Sequence, residues 1–116
     1  MGYDVHITRA KHWIDSKNRP ISLREWLVYV EQDTELELEG VAIGRVTGES
    51  ALAYQSEGLA VWTAYSGHDP VGNKAWMDWC DGRIVVKNPD EEILAKMKQI
   101  AAHFRSSVVG DEGEHY

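Results

Sequence analysis

Lys74-Ala75-Trp76-Met77-Asp78-Trp79-Cys80-Asp81-Gly82-Arg83-Ile84-Val85-Val86-Lys87 is the stretch from which the fold can be read. Asp-Gly between two alternating runs is a strong hairpin signal, because a type I′ turn needs positive φ at both central residues. A two-residue turn at Asp81-Gly82 pairs Cys80 with Arg83, Trp79 with Ile84, Asp78 with Val85, Met77 with Val86 and Trp76 with Lys87. Side chains alternate across a strand, so Met77, Trp79, Ile84 and Val86 fall on one apolar face. Trp76, Asp78, Cys80, Arg83, Val85 and Lys87 fall on the other. The first set reads as core. On the second, Trp76 sits beside Lys87, where a cation–π contact is within reach.

Working outward, Tyr3-Asp4-Val5-His6-Ile7-Thr8-Arg9 alternates with period two and reads as a first strand with Tyr3, Val5 and Ile7 inward. Asp15 to Pro20 reads as a polar loop. Ser22 followed three residues later by Glu25 is a capping box, opening a helix that ends near Asp33 with Leu23, Trp26, Leu27 and Val30 as its apolar stripe. Glu35-Leu36-Glu37-Leu38-Glu39 alternates strictly; extended, it places three carboxylates on one face. Short strands follow at 41–46, 52–55 and 59–65, punctuated by turn signals at Thr47-Gly48-Glu49 and Glu57-Gly58. Asn88 reads as the cap of a last helix with Pro89 in its first turn. That helix presents Ile93, Leu94, Met97, Ile100, Ala101 and Phe104 inward, with Lys96, Lys98 and Gln99 outside. A final strand reads at 106–109, ahead of the acidic Asp111-Glu112-Gly113-Glu114. The order predicts one α+β domain over 1–116, a mostly antiparallel sheet with two helices on one face.

The bulk numbers bound function by exclusion. At 116 residues, 43% hydrophobic and 27% charged, the chain is an ordinary single domain that needs neither disulfide nor metal to fold. One cysteine, Cys80, fits a reducing cytoplasm. No signal peptide and no run long enough to cross a membrane are read. The net charge of −7 argues against nucleic acid, whose binding draws on Lys and Arg to release counterions. The acidity is concentrated in residues 31–57, where seven acids face one Arg.

No catalytic constellation is visible: no phosphate-binding Gly-rich loop, no nucleophile elbow, no Cys-x-x-Cys, and five histidines without zinc spacing. Neither cofactor nor metal is expected. The best chemical candidate is Asp4 with His6, two apart on one strand face, where a carboxylate could orient an imidazole. His68-Asp69 and Cys80 beside Arg83 are weaker. The Glu35/Glu37/Glu39 comb reads as a solvated edge or a docking surface for basic groups, and Trp76 as a sheet residue or an interface anchor. Trp62 shares that ambiguity.

Several segments carry a resemblance: Tyr3–Arg9, Gly58-Leu59-Ala60-Val61-Trp62, Gly82–Glu91 and Gly110–Glu114. With this size, acidity and Trp content, the chain resembles small bacterial proteins of the immunity type that belong to polymorphic-toxin systems. The resemblance implies a non-enzymatic inhibitor that occludes the active site of a cognate toxin domain, and it transfers no site residue. An acidic face suits a basic cleft, which makes Glu35, Glu37, Glu39, Trp76 and Asp78 the expected partner contacts. The competing expectation is a small enzyme or ligand-binding domain using the Asp4/His6 strand face.

Overall fold

The Asp81-Gly82 turn forms as its sequence requires, with φ of 50° at Asp81 and 87° at Gly82. In the computed structural model, which describes residues 3–39, 41–45, 51–55 and 57–116 (backbone alone for 41–55), the flanking strands pair Cys80 with Arg83, Trp79 with Ile84 and Asp78 with Val85. The strands are β1 (Asp4–Thr8), β2 (Leu36–Leu38), β3 (Val41–Arg45), β4 (Ala51–Gln55), β5 (Leu59–Trp62), β6 (Ala75–Cys80), β7 (Arg83–Lys87) and β8 (Ser107–Gly110). The helices are α1 (Leu23–Gln32) and α2 (Glu91–His103). Six strands form one sheet in the order β2-β5-β6-β7-β1-β8, and β3 and β4 pair separately. Every pairing is antiparallel. The fold is α+β. The turn read at Thr47-Gly48-Glu49 lies outside the described residues.

The two faces of the sheet have different fates. Val5, Ile7, Leu36, Ala60, Trp62, Ala75, Met77, Ile84, Val86 and Val108 share one face and form a single core with Trp26 and Val30 of α1 and Ile93, Met97, Ile100 and Ala101 of α2. Both helices therefore cover this face. Trp62 belongs to it, and Trp79 packs against it half-buried, its Nε1 donating to the Ile21 carbonyl at 2.8 Å. Trp26 donates to the Gly58 carbonyl at 2.7 Å. A Cβ on Gly58 would lie 2.5 Å from the Trp79 Cβ, so only glycine admits this approach.

Three local expectations are corrected. The segment read as a loop from Asp15 to Pro20 is partly taken up by a 3-10 turn, Trp13–Asn18, capped by the His12 side chain. The α2 cap is Asp90, whose carboxylate accepts from the Ile93 N–H at 2.9 Å; Asn88 instead adopts φ of 47° and accepts from the Tyr3 N–H. Lys96, expected outside, is 4% exposed. The capping box of α1 forms as read, with Ser22 and Glu25 satisfying each other's backbone N–H groups.

Candidate functional site

The second face of the sheet carries the polar chemistry. Pleating puts Asp4 and His6 of β1, Trp76, Asp78 and Cys80 of β6, and Arg83, Val85 and Lys87 of β7 on it. At the β1 end it is roofed by the 3-10 turn, where Thr8 and Ser16 share a hydrogen bond of 2.8 Å and Trp13 stacks on His6 with ring centroids 4.5 Å apart. Beside that roof lies a cavity of about 640 Å³ whose wall includes Asp4, Trp76, Asp78, Arg83, Val85 and Lys87.

His6 is 2% exposed and both ring nitrogens are engaged. Arg83 Nε donates to Nδ1 at 3.1 Å. An arginine cannot accept, so the ring proton sits on Nε2, which donates to Asp111 Oδ1 at 2.8 Å. The carboxylate that orients His6 is thus Asp111, not Asp4, whose backbone N–H donates to the other Asp111 oxygen at 2.9 Å. Burial drives the His6 pKa down, and the adjacent Arg83 charge adds to this against the pull of Asp111. Burial pushes the Asp111 carboxyl up, but the His6 and Asp4 hydrogen bonds outweigh it and leave it below the usual range. Trp13 closes the network, donating from Nε1 to the Asp111 carbonyl at 2.9 Å and lying 5.1 Å from the Arg83 guanidinium carbon. With Nδ1 occupied by a fixed cation, the imidazole is a positioning group for Arg83 and not a free base.

The expected partner contacts come from strands forty residues apart in sequence, and the register brings most of them together. Glu37 faces Val61, which faces Trp76; Glu39 hydrogen-bonds through its N–H to the Leu59 carbonyl, and Leu59 faces Asp78. Glu37, Glu39, Trp76 and Asp78 therefore share the second face. Glu35 does not join them with its carboxylate. At the sheet edge it turns to the helix side, accepting from Lys96 Nζ at 2.8 Å and Trp62 Nε1 at 3.0 Å. The cation over Trp76 is Lys74 at 5.4 Å, in place of the expected Lys87, and Lys74 also lies 3.5 Å from Glu39. The chain finds no match among known protein families, curated proteins or solved structures.

Sequence reasoning missed two clusters. Asp111 and Glu114 read as an acidic end, yet Asp111 anchors His6 and Glu114 accepts from the Tyr3 hydroxyl. That bond pushes the Tyr3 pKa up to about 12. Lys96 reads as an outward helix residue, yet it bridges Asp33 at 2.9 Å and Glu35. Burial alone would depress Lys96; the two carboxylates outweigh it and raise its pKa. In the first case no local signal exists. In the second, the flanking Ile93, Met97 and Ile100 place Lys96 near the buried stripe, a signal that its charge masks.

Proposed function

We propose that this protein acts by binding another protein, as an immunity-type inhibitor that occludes the active site of a cognate toxin domain. The observation that carries the reading is the convergence of Glu37, Glu39, Trp76 and Asp78 on one sheet face. Three carboxylates around a half-buried tryptophan combine the two elements of a protein interface. Charge of one sign speeds encounter with a basic cleft, and a rigid aromatic side chain anchors the docked complex. Glu35 contributes by holding the edge strand to α2 through Lys96, not by contact.

The test is a tagged chain recovered from its native cell at low and at high salt, with bound proteins identified by mass spectrometry. A stoichiometric basic toxin domain, released at high salt and inhibited by the pure chain, supports the reading. The double variant E37K/E39K should then slow association about tenfold at low salt. An unchanged on-rate, or no inhibition of any recovered toxin, counts against it.

A second reading, a small-molecule binding domain on the Asp4 strand face, is favoured by the cavity, whose volume of about 640 Å³ lies within the range of ligand sites. His6 does not line the cavity and enters this reading through Arg83.

A further inference from the structure

Arg83 is a cation of the cavity wall whose hydrogen-bond and ring partners are neutral, while the Asp111 carboxylate beyond His6 acts on it through space. Nε donates to the His6 imidazole, Nη1 to the Cys80 carbonyl at 3.3 Å, and the plane lies over Trp13. Among the described residues it forms no ion pair, and Nη2 makes no hydrogen bond. Its cross-strand neighbour on β6 is Cys80. The carboxylates of the wall sit farther along: Asp78 faces Val85 and Asp4 faces Lys87. The cavity floor therefore has one end where a permanent cation stands with no carboxylate in direct contact among the described residues, followed by Val85, which Asp78 faces, and, on the continuing register, Trp76.

Asp111 acts on Arg83 only through space and across the imidazole, so the half-buried guanidinium lacks a carboxylate in direct contact, which an anionic ligand would supply. Here its orientation is already settled. His6 fixes Nε, Asp111 fixes His6, and Trp13 covers both, so little side-chain freedom is lost when an anion arrives. The N–H groups of Nη1 and Nη2 that remain form part of the planar fork that matches a carboxylate or phosphate. We propose that the cavity binds a small organic anion with a flat apolar body, its carboxylate or phosphate head gripped by Arg83 and its body lying over Val85 against Trp76. The four steps from Arg83 to Lys87 span about 13 Å, enough for one or two fused rings beyond the head group. This proposal rests on the cavity reading; it shares Trp76 with the docking reading, which makes no use of Arg83.

The experiment is a 15N-resolved NMR titration of the full chain with 2-naphthoate and with its neutral isostere 2-naphthamide. Saturable shifts at Arg83 Nε and along 76–87 are expected for naphthoate, with naphthamide at least about tenfold weaker, as loss of a charge-assisted bond implies. R83Q should erase that preference, and R83K, which keeps the charge but loses the fork, should reduce it. Because both touch His6, W76A serves as a variant outside the His6 network; it should weaken both ligands and leave the preference for the anion intact. Equal affinity for the two ligands overturns the proposal while leaving the cavity a ligand site. Naphthoate affinity unaltered in a natively folded R83Q overturns it as well. No saturable shift with either ligand at millimolar concentration overturns both this proposal and the cavity reading, and leaves the docking reading untouched.

Discussion

Two buried ionisable residues, His6 and Lys96, show how a side chain's place sets its charge. His6 is neutral because burial and Arg83 both oppose a second ring proton. Its folded pKa lies below the unfolded value, so the unfolded chain binds more protons as pH falls. The stability His6 contributes is complete above about pH 6.5 and is lost as pH drops toward its folded pKa. Unfolding free energy from urea titrations should therefore decline between neutral and mildly acid pH, and H6Q should flatten that slope. A slope retained in H6Q assigns the effect elsewhere. Lys96 has the opposite sign: its raised pKa contributes stability below the usual lysine range that is lost only in strong alkali. K96M removes the partner of Asp33, which is only 12% exposed, and of the half-exposed Glu35. A cost of about 2–3 kcal/mol is expected, below that of a fully buried pair because Glu35 regains water. The midpoint in urea should fall at constant slope.

Among the elements, turns and caps are where local chemistry decides. Gly82 has φ of 87°, and a Cβ there would lie 2.9 Å from both the Pro20 Cβ and the Ser16 carbonyl oxygen. G82A thus combines backbone strain with a clash against the segment that roofs the second face. A loss of about 2 kcal/mol is expected, read as a fall of roughly 8 °C in Tm. D90A should cost about 1 kcal/mol by uncapping α2, whereas N88A should act on the Tyr3 contact and leave the α2 cap in place. The assignment of the cap to Asn88 fails for a clear reason. Asn and Asp cap equally well, Pro89 separates them, and only the backbone path shows which one precedes the first helical N–H groups.

At the scale of the whole molecule, β1 lies between β7 and β8, so the first strand is fixed by the last two. Residues 111–116 complete this arrangement: Asp111 holds His6, Glu114 holds Tyr3, the Tyr116 N–H donates to the Val108 carbonyl at 2.9 Å, and His115 bridges to Val109. Deletion of 111–116 should lower the stability of the entire domain. D111N removes the charge that pulls the His6 pKa up while Arg83 stays at Nδ1, so the His6 NMR titration should move further down. A His6 titration unchanged in D111N would show that Asp111 does not hold it.

The sequence by itself determined the hairpin and its register, the capping box, the apolar stripes of both helices and the α+β class. All of these are short-range: a turn dictates φ, and a period of 2 or 3.6 dictates a face. It also put Glu37 and Glu39 on one side of an extended edge and Trp76 and Asp78 on one side of a hairpin. Only the tertiary structure decided that these are the same side, because the pairings β2–β5 and β5–β6 join segments with no local relation. The same holds for the Asp111–His6–Arg83 chain, drawn from three strand regions across 105 residues. Which carboxylate meets which cation depends on strand order, and strand order follows from how the whole apolar surface is buried at once.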